Sequence, residues 1–86
     1  MKVFKVWVDK WDYDDYDSFV CVANSEDEIR NCISINQYSG RVITMDGNEA
    51  YENYITFYDS QGEIHIEEVN LNVDKPYIVC SSYNAG

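Results

Sequence analysis

The sequence predicts one α+β domain over residues 1–86, a mostly antiparallel sheet of four to six strands with one short helix packed on a face. Three observations carry this expectation. Short runs rich in Val, Ile, Tyr and Phe recur along the chain, separated by connections containing Asp, Asn and Gly. One helix-start signal stands out, at Ser25–Glu28. The length, 86 residues, suits a single small core, and 45% hydrophobic with 15% aromatic residues is too apolar for a disordered acidic tail.

Val3 to Val8 reads as the first strand, with Phe4, Val6 and Val8 on one face and Val3, Lys5 and Trp7 on the other. Asp9 to Asp17 follows, with five Asp in nine residues, and Asp is a poor strand former. This stretch therefore reads as a long connection or a splayed hairpin end. Ser18 to Ala23 is a nearly unbroken apolar run, which predicts a second strand buried on both faces, hence central. In Ser25-Glu26-Asp27-Glu28 the Ser25 hydroxyl is placed to accept from the Glu28 N–H and the Glu28 carboxylate to reach back, a capping box. The three acids of that first turn complement the helix dipole, and Ile29, Cys32 and Ile33 form one apolar stripe. The helix is expected from about Glu26 to Ile33 or a turn beyond, with Gly40 as the latest stop.

Arg41 to Thr44 is β-prone and runs into the turn pair Asp46-Gly47, while Glu49 to Asn53 suits a helical turn. Tyr54 to Tyr58, the turn Asp59-Ser60-Gln61-Gly62, and the alternating Glu63 to Val69 predict a hairpin with one wet face. After Pro76, Tyr77 to Ser82 reads as a last strand.

The charge excludes more than it assigns. Six Lys and Arg face sixteen Asp and Glu, a formal net charge of -10, which argues against direct contact with nucleic-acid phosphates or anionic lipid. No apolar stretch approaches the ~20 residues of a membrane span, and Met1 leads into a short charged strand rather than a secretory leader. Cys21, Cys32 and Cys80 are an odd number without CxxC spacing, which fits a reducing cytoplasm better than a disulfide scaffold.

Chemistry-bearing groups are few. His65 is the only histidine and reads as a half-exposed strand residue; Cys32 and Cys80 lie in no nucleophile turn. No P-loop, GxGxxG, GxSxG or HExxH occurs, so no catalytic residue, no cofactor and no enzymatic activity are expected. The crowding of Asp12, Asp14, Asp15 and Asp17 raises calcium, but the spacing is wrong for an EF-hand and the run lacks glycine, so no dedicated metal site is expected.

What remains is the run itself. Asp9, Asp12, Asp14, Asp15 and Asp17 alternate with Trp11, Tyr13 and Tyr16, the ring types enriched at interface hot spots. Aromatic anchors among carboxylates suit a cationic macromolecule, with association steered by charge and weakened by salt. These eight residues are the candidate partner-binding set. Glu63, Glu67 and Glu68 would extend the negative face if their strand lies beside it.

Three stretches carry a resemblance: Tyr13-Asp14-Asp15-Tyr16-Asp17-Ser18-Phe19-Val20-Cys21-Val22-Ala23, Ser25-Glu26-Asp27-Glu28-Ile29-Arg30, and Ile78-Val79-Cys80-Ser81-Ser82-Tyr83-Asn84-Ala85-Gly86. Together they resemble a family of small acidic phage and prophage proteins with the patterns YDxYDSFVVxA, SEEEAR and SFNAG. The likeness covers about the first third and last tenth of the chain; Ile55 to Gly62 departs from a Trp-rich stretch in the family. The resemblance implies a phage origin and the host cytoplasm, and supplies no activity. It points to inhibition of host defence, as by anti-CRISPR or anti-restriction proteins.

The expected function is thus an acidic inhibitor that binds a basic, nucleic-acid-binding surface of a host defence complex, a CRISPR effector first, by charge mimicry and aromatic anchoring. Direct binding to nucleic acid or to a membrane is not expected. The rivals are a sponge holding a nucleotide signal in an oligomer pocket lined by Arg30, Arg41 and a few Lys, and a phage structural module. An unpaired edge strand would give any of these a route to a homodimer.

Overall fold

A computed structural model describes residues 1–38, 40–45 and 54–81. Six strands, β1 (Lys2–Val8), β2 (Ser18–Ala23), β3 (Ile33–Asn36), β4 (Gly40–Thr44), β5 (Tyr54–Phe57) and β6 (Ile64–Glu68), surround one short helix, α1 (Glu26–Asn31). A 3₁₀ turn, Asp59–Gln61, joins β5 to β6. The strands form two antiparallel three-stranded sheets, ordered β2-β1-β6 and β3-β4-β5, rather than one sheet. The class is α+β with little helix.

The core lies where the two sheets and α1 meet. Phe4, Val6 and Val8 of β1, Ile64 of β6, Ile43 of β4, Phe57 of β5, Ala23 and Ile29 form one buried cluster. Alternation explains the β1 contribution: every second residue turns inward, as the sequence predicts. Phe19 of β2 stacks on Phe57 of β5 across the sheets, with ring centroids 6.2 Å apart.

The helix start behaves as its sequence predicts, with one change. Ser25 Oγ accepts from the Glu28 N–H at 3.2 Å, but the Glu28 carboxylate accepts from Asn24 Nδ2 at 3.0 Å instead of closing the capping box. The helix ends at Asn31, so that Cys32 caps it and Ile33 opens β3, a strand the sequence does not announce. Ile29, Cys32 and Ile33 nevertheless all pack on the core.

Three expectations are corrected. β2 is an edge strand, not a central one; Val20 is 48% and Val22 55% exposed, so its unbroken apolarity comes from a solvent-facing row of valines. The segments around Tyr54–Tyr58 and Glu63–Val69 do not form a hairpin. β5 pairs with β4 and β6 with β1, because the turn at Gly62, with φ +88°, throws the chain from one sheet to the other. Tyr77 to Ser81 is not a strand. Tyr77 Oη donates to the Asn70 carbonyl at 2.7 Å, which turns this segment back as a loop instead of adding it to the outer edge of β2 or β6. The Asp46-Gly47 turn, the Glu49–Asn53 turn and Ser82 lie outside the described residues.

Candidate docking site

The acidic stretch is the connection of the β1–β2 hairpin. It begins where β1 runs out of apolar residues and closes where the Val8 N–H donates to the Asp17 carbonyl at 3.2 Å. Short polar side chains then organise the backbone locally. Asp12 Oδ1 accepts from the Tyr13 N–H at 2.8 Å, and Asp15 Oδ2 accepts from the Asp12 N–H at 2.9 Å. The Asp15 N–H donates to the Asp12 carbonyl at 3.3 Å, closing a turn in which Asp14 takes φ +61°. Asp tolerates that left-handed conformation better than most residues. Asp17 Oδ1 accepts from the Ser18 hydroxyl at 3.0 Å.

The stretch is fastened to the sheets by a residue far away in sequence. Gln61 is the one buried polar side chain among the described residues, 2% exposed. Its Nε2 donates to the Lys10 carbonyl at 3.2 Å and to the Tyr16 carbonyl at 2.8 Å, while its Oε1 accepts from the Tyr58 N–H at 2.7 Å. The Lys10 N–H donates in turn to the Gln61 carbonyl at 2.9 Å. One amide group therefore ties both ends of the acidic stretch to the 3₁₀ turn, and burial makes each of these bonds costly to lose. The turn is itself held by Arg41, whose Nη2 donates to the Tyr58 and Gly62 carbonyls.

Asp9 forms a second anchor. Its Oδ1 lies 2.6 Å from His65 Nε2, and its Oδ2 accepts from the Glu63 N–H at 3.0 Å. The His65 ring stacks on Trp7 with centroids 5.2 Å apart, and Lys5 Nζ sits 4.9 Å from the Trp7 ring centroid. Gly62 makes room for this contact. A Cβ there would fall 2.6 Å from Asp9 Oδ2, and its positive φ disfavours any other residue. The His65 hydrogen bond, then the Glu63 N–H, hold the Asp9 carboxyl below the usual aspartate range. A carboxyl depressed in the folded state contributes stability above its unfolded pKa, and that contribution is lost as pH falls through the folded value. Asp9→Asn is therefore expected to be less stable than the parent near neutral pH, with the gap closing below about pH 4. Urea unfolding across that range checks this; a gap that persists unchanged into strong acid would refute it.

The eight candidate residues thus divide. Asp9 is tied to His65 and Glu63, while its side chain remains 45% exposed. Trp11, Tyr13 and Tyr16 are 46%, 68% and 50% exposed, so the rings do not pack away under the sheet. Asp12 and Asp14 are exposed, whereas Asp15 and Asp17 are half-buried. Glu63 joins this end of the molecule through its bond to Asp9; Glu67 and Glu68 pair with Lys5 and Phe4 and run away from it. Arg30 is held by Glu26 at 3.1 Å and Arg41 by the turn carbonyls. Sequence reasoning missed Gln61 and the Asp9–His65 pair. A lone Gln in a turn and a lone His in a strand carry no spacing signal.

Cys21, Cys32 and Cys80 are free thiols, and burial, then neighbouring Cys32, pushes the Cys21 thiol up. Among the described residues no group of three or more His, Cys, Asp or Glu is arranged to hold a metal ion. No helix among them is long and apolar enough to cross a membrane. No known protein family, curated protein or solved structure matches the chain.

Proposed function

We propose that this chain is a phage-encoded acidic inhibitor that docks its β1–β2 loop on a basic, nucleic-acid-binding surface of a host defence complex. The observation that supports this most is the combination of three exposed rings with a loop fastened at both ends. Exposed aromatic side chains are costly to keep in water, and a fixed loop loses little further entropy on binding. The net charge of -10 adds long-range steering toward a cationic groove and competes there with phosphate. The resemblance to small acidic phage proteins selects a CRISPR effector as the first partner to test.

The test is displacement. Labelled DNA bound to a purified effector complex is titrated with the protein, and release is followed by fluorescence anisotropy at two salt concentrations. Release that weakens as salt rises is expected. If no host effector yields its DNA, and low-salt capture recovers no basic complex, the proposal fails.

A further inference from the structure

We propose that a cleft between the acidic loop and the outer face of β5 receives an arginine side chain of that protein partner. This deepens the docking reading and rests on it. Tyr54 and Thr56 alternate along β5, and Tyr58 continues the alternation just beyond it, so all three share the face opposite Ile55 and Phe57. Asp14 and Tyr16 of the acidic loop form the facing wall, enclosing about 190 Å³. Among the described residues, the lining offers three phenol rings, one threonine hydroxyl and one carboxylate, and no basic residue.

The two walls are set against each other by the buried amide already described. Gln61 Nε2 donates to the Tyr16 carbonyl at 2.8 Å, and Gln61 Oε1 accepts from the Tyr58 N–H at 2.7 Å. Arg41 Nη2 holds the Tyr58 carbonyl from the other side at 3.2 Å. These bonds fix the main chain at Tyr16 and Tyr58, from which two of the rings project, so the backbone of both walls is set before a ligand arrives. Preorganisation of this kind raises affinity by lowering the cost of ordering.

The chemistry selects a cation, and among cations a planar one. Aromatic faces attract positive charge, and a carboxylate beside them adds a direct hydrogen-bonded partner. A guanidinium stacks flat on a phenol ring while its edge donates to the carboxylate; an ammonium does one or the other and gives up more hydration. Loop carboxylates attract both cations and favour arginine only through its bidentate fork; stacking on the rings is what the cleft adds.

Two hexapeptides, one of arginine and one of lysine, are titrated into the protein at low salt while the ring signals of Tyr16, Tyr54 and Tyr58 are followed by NMR. The arginine peptide is expected to bind about tenfold tighter and to shift all three rings. Tyr58→Leu keeps the bonds to the Tyr58 main chain and is expected to bring arginine-peptide affinity down to that of the lysine peptide. Equal binding of both peptides without ring shifts overturns the cleft assignment and leaves loop docking standing. Failure of both peptides to bind overturns loop docking itself. The ring shifts of the unaltered protein decide the question even if the variant misfolds.

Discussion

Gln61→Leu is expected to destabilise the protein by ~3 kcal/mol and to free the acidic stretch at both ends. The leucine fills similar volume but leaves the Tyr58 N–H and the Lys10 and Tyr16 carbonyls without their partner. Buried polar groups stripped of a hydrogen bond cost about 1–3 kcal/mol each, and water admitted by the loosened loop offsets part of that. Gln61→Glu is a sharper probe, because it keeps the bond from Tyr58 and turns a carboxylate oxygen toward two carbonyls. Urea denaturation gives the stability change, and amide exchange in residues 10 to 17 reports the loosening. Unchanged exchange there would show that the loop is held by something other than this amide.

Replacing Asp12, Asp14, Asp15 and Asp17 together by Asn is expected to lower affinity for a basic partner at least about a hundredfold at low salt. The formal charge moves from -10 to -6 with the fold untouched. Asn retains an Oδ1 acceptor, so the bonds from Tyr13, Asp12 and Ser18 within the loop are kept. Loss of binding would then report charge and not collapse of the turn. The salt dependence of what remains should flatten, since fewer counterions are exchanged on docking. The displacement experiment with labelled DNA reads both effects. Undiminished displacement by a folded quadruple variant would remove charge mimicry as the mechanism and leave the rings to account for binding alone.

How far the sequence reaches is best seen strand by strand. β1 and the start of α1 are legible because their signals are local: strict alternation from Phe4 to Val8, and a Ser three residues before a Glu. The division into two sheets is not legible. Tyr54–Phe57, a four-residue turn and Ile64–Glu68 are a hairpin by every local rule, but the turn at Gly62 and the partners available elsewhere, β4 and β1, pull the two strands apart. β2 misleads for a related reason, since apolar residues on both faces mark burial only where something covers both. At the candidate site the composition of the acidic run is plain in the sequence. What gives it shape comes from Gln61, Asp9 and His65, whose contacts span 45 to 56 residues. Long-range hydrogen bonds leave no periodic trace.

The same separation matters during synthesis. The β1–β2 hairpin leaves the ribosome early, but the amide that fastens its tip is translated dozens of residues later. A nascent chain therefore carries its acids and rings on an unsecured tether until the turn after β5 emerges. Full binding strength should be a property of the released, completed protein, and fragments ending before that turn should make poor ligands.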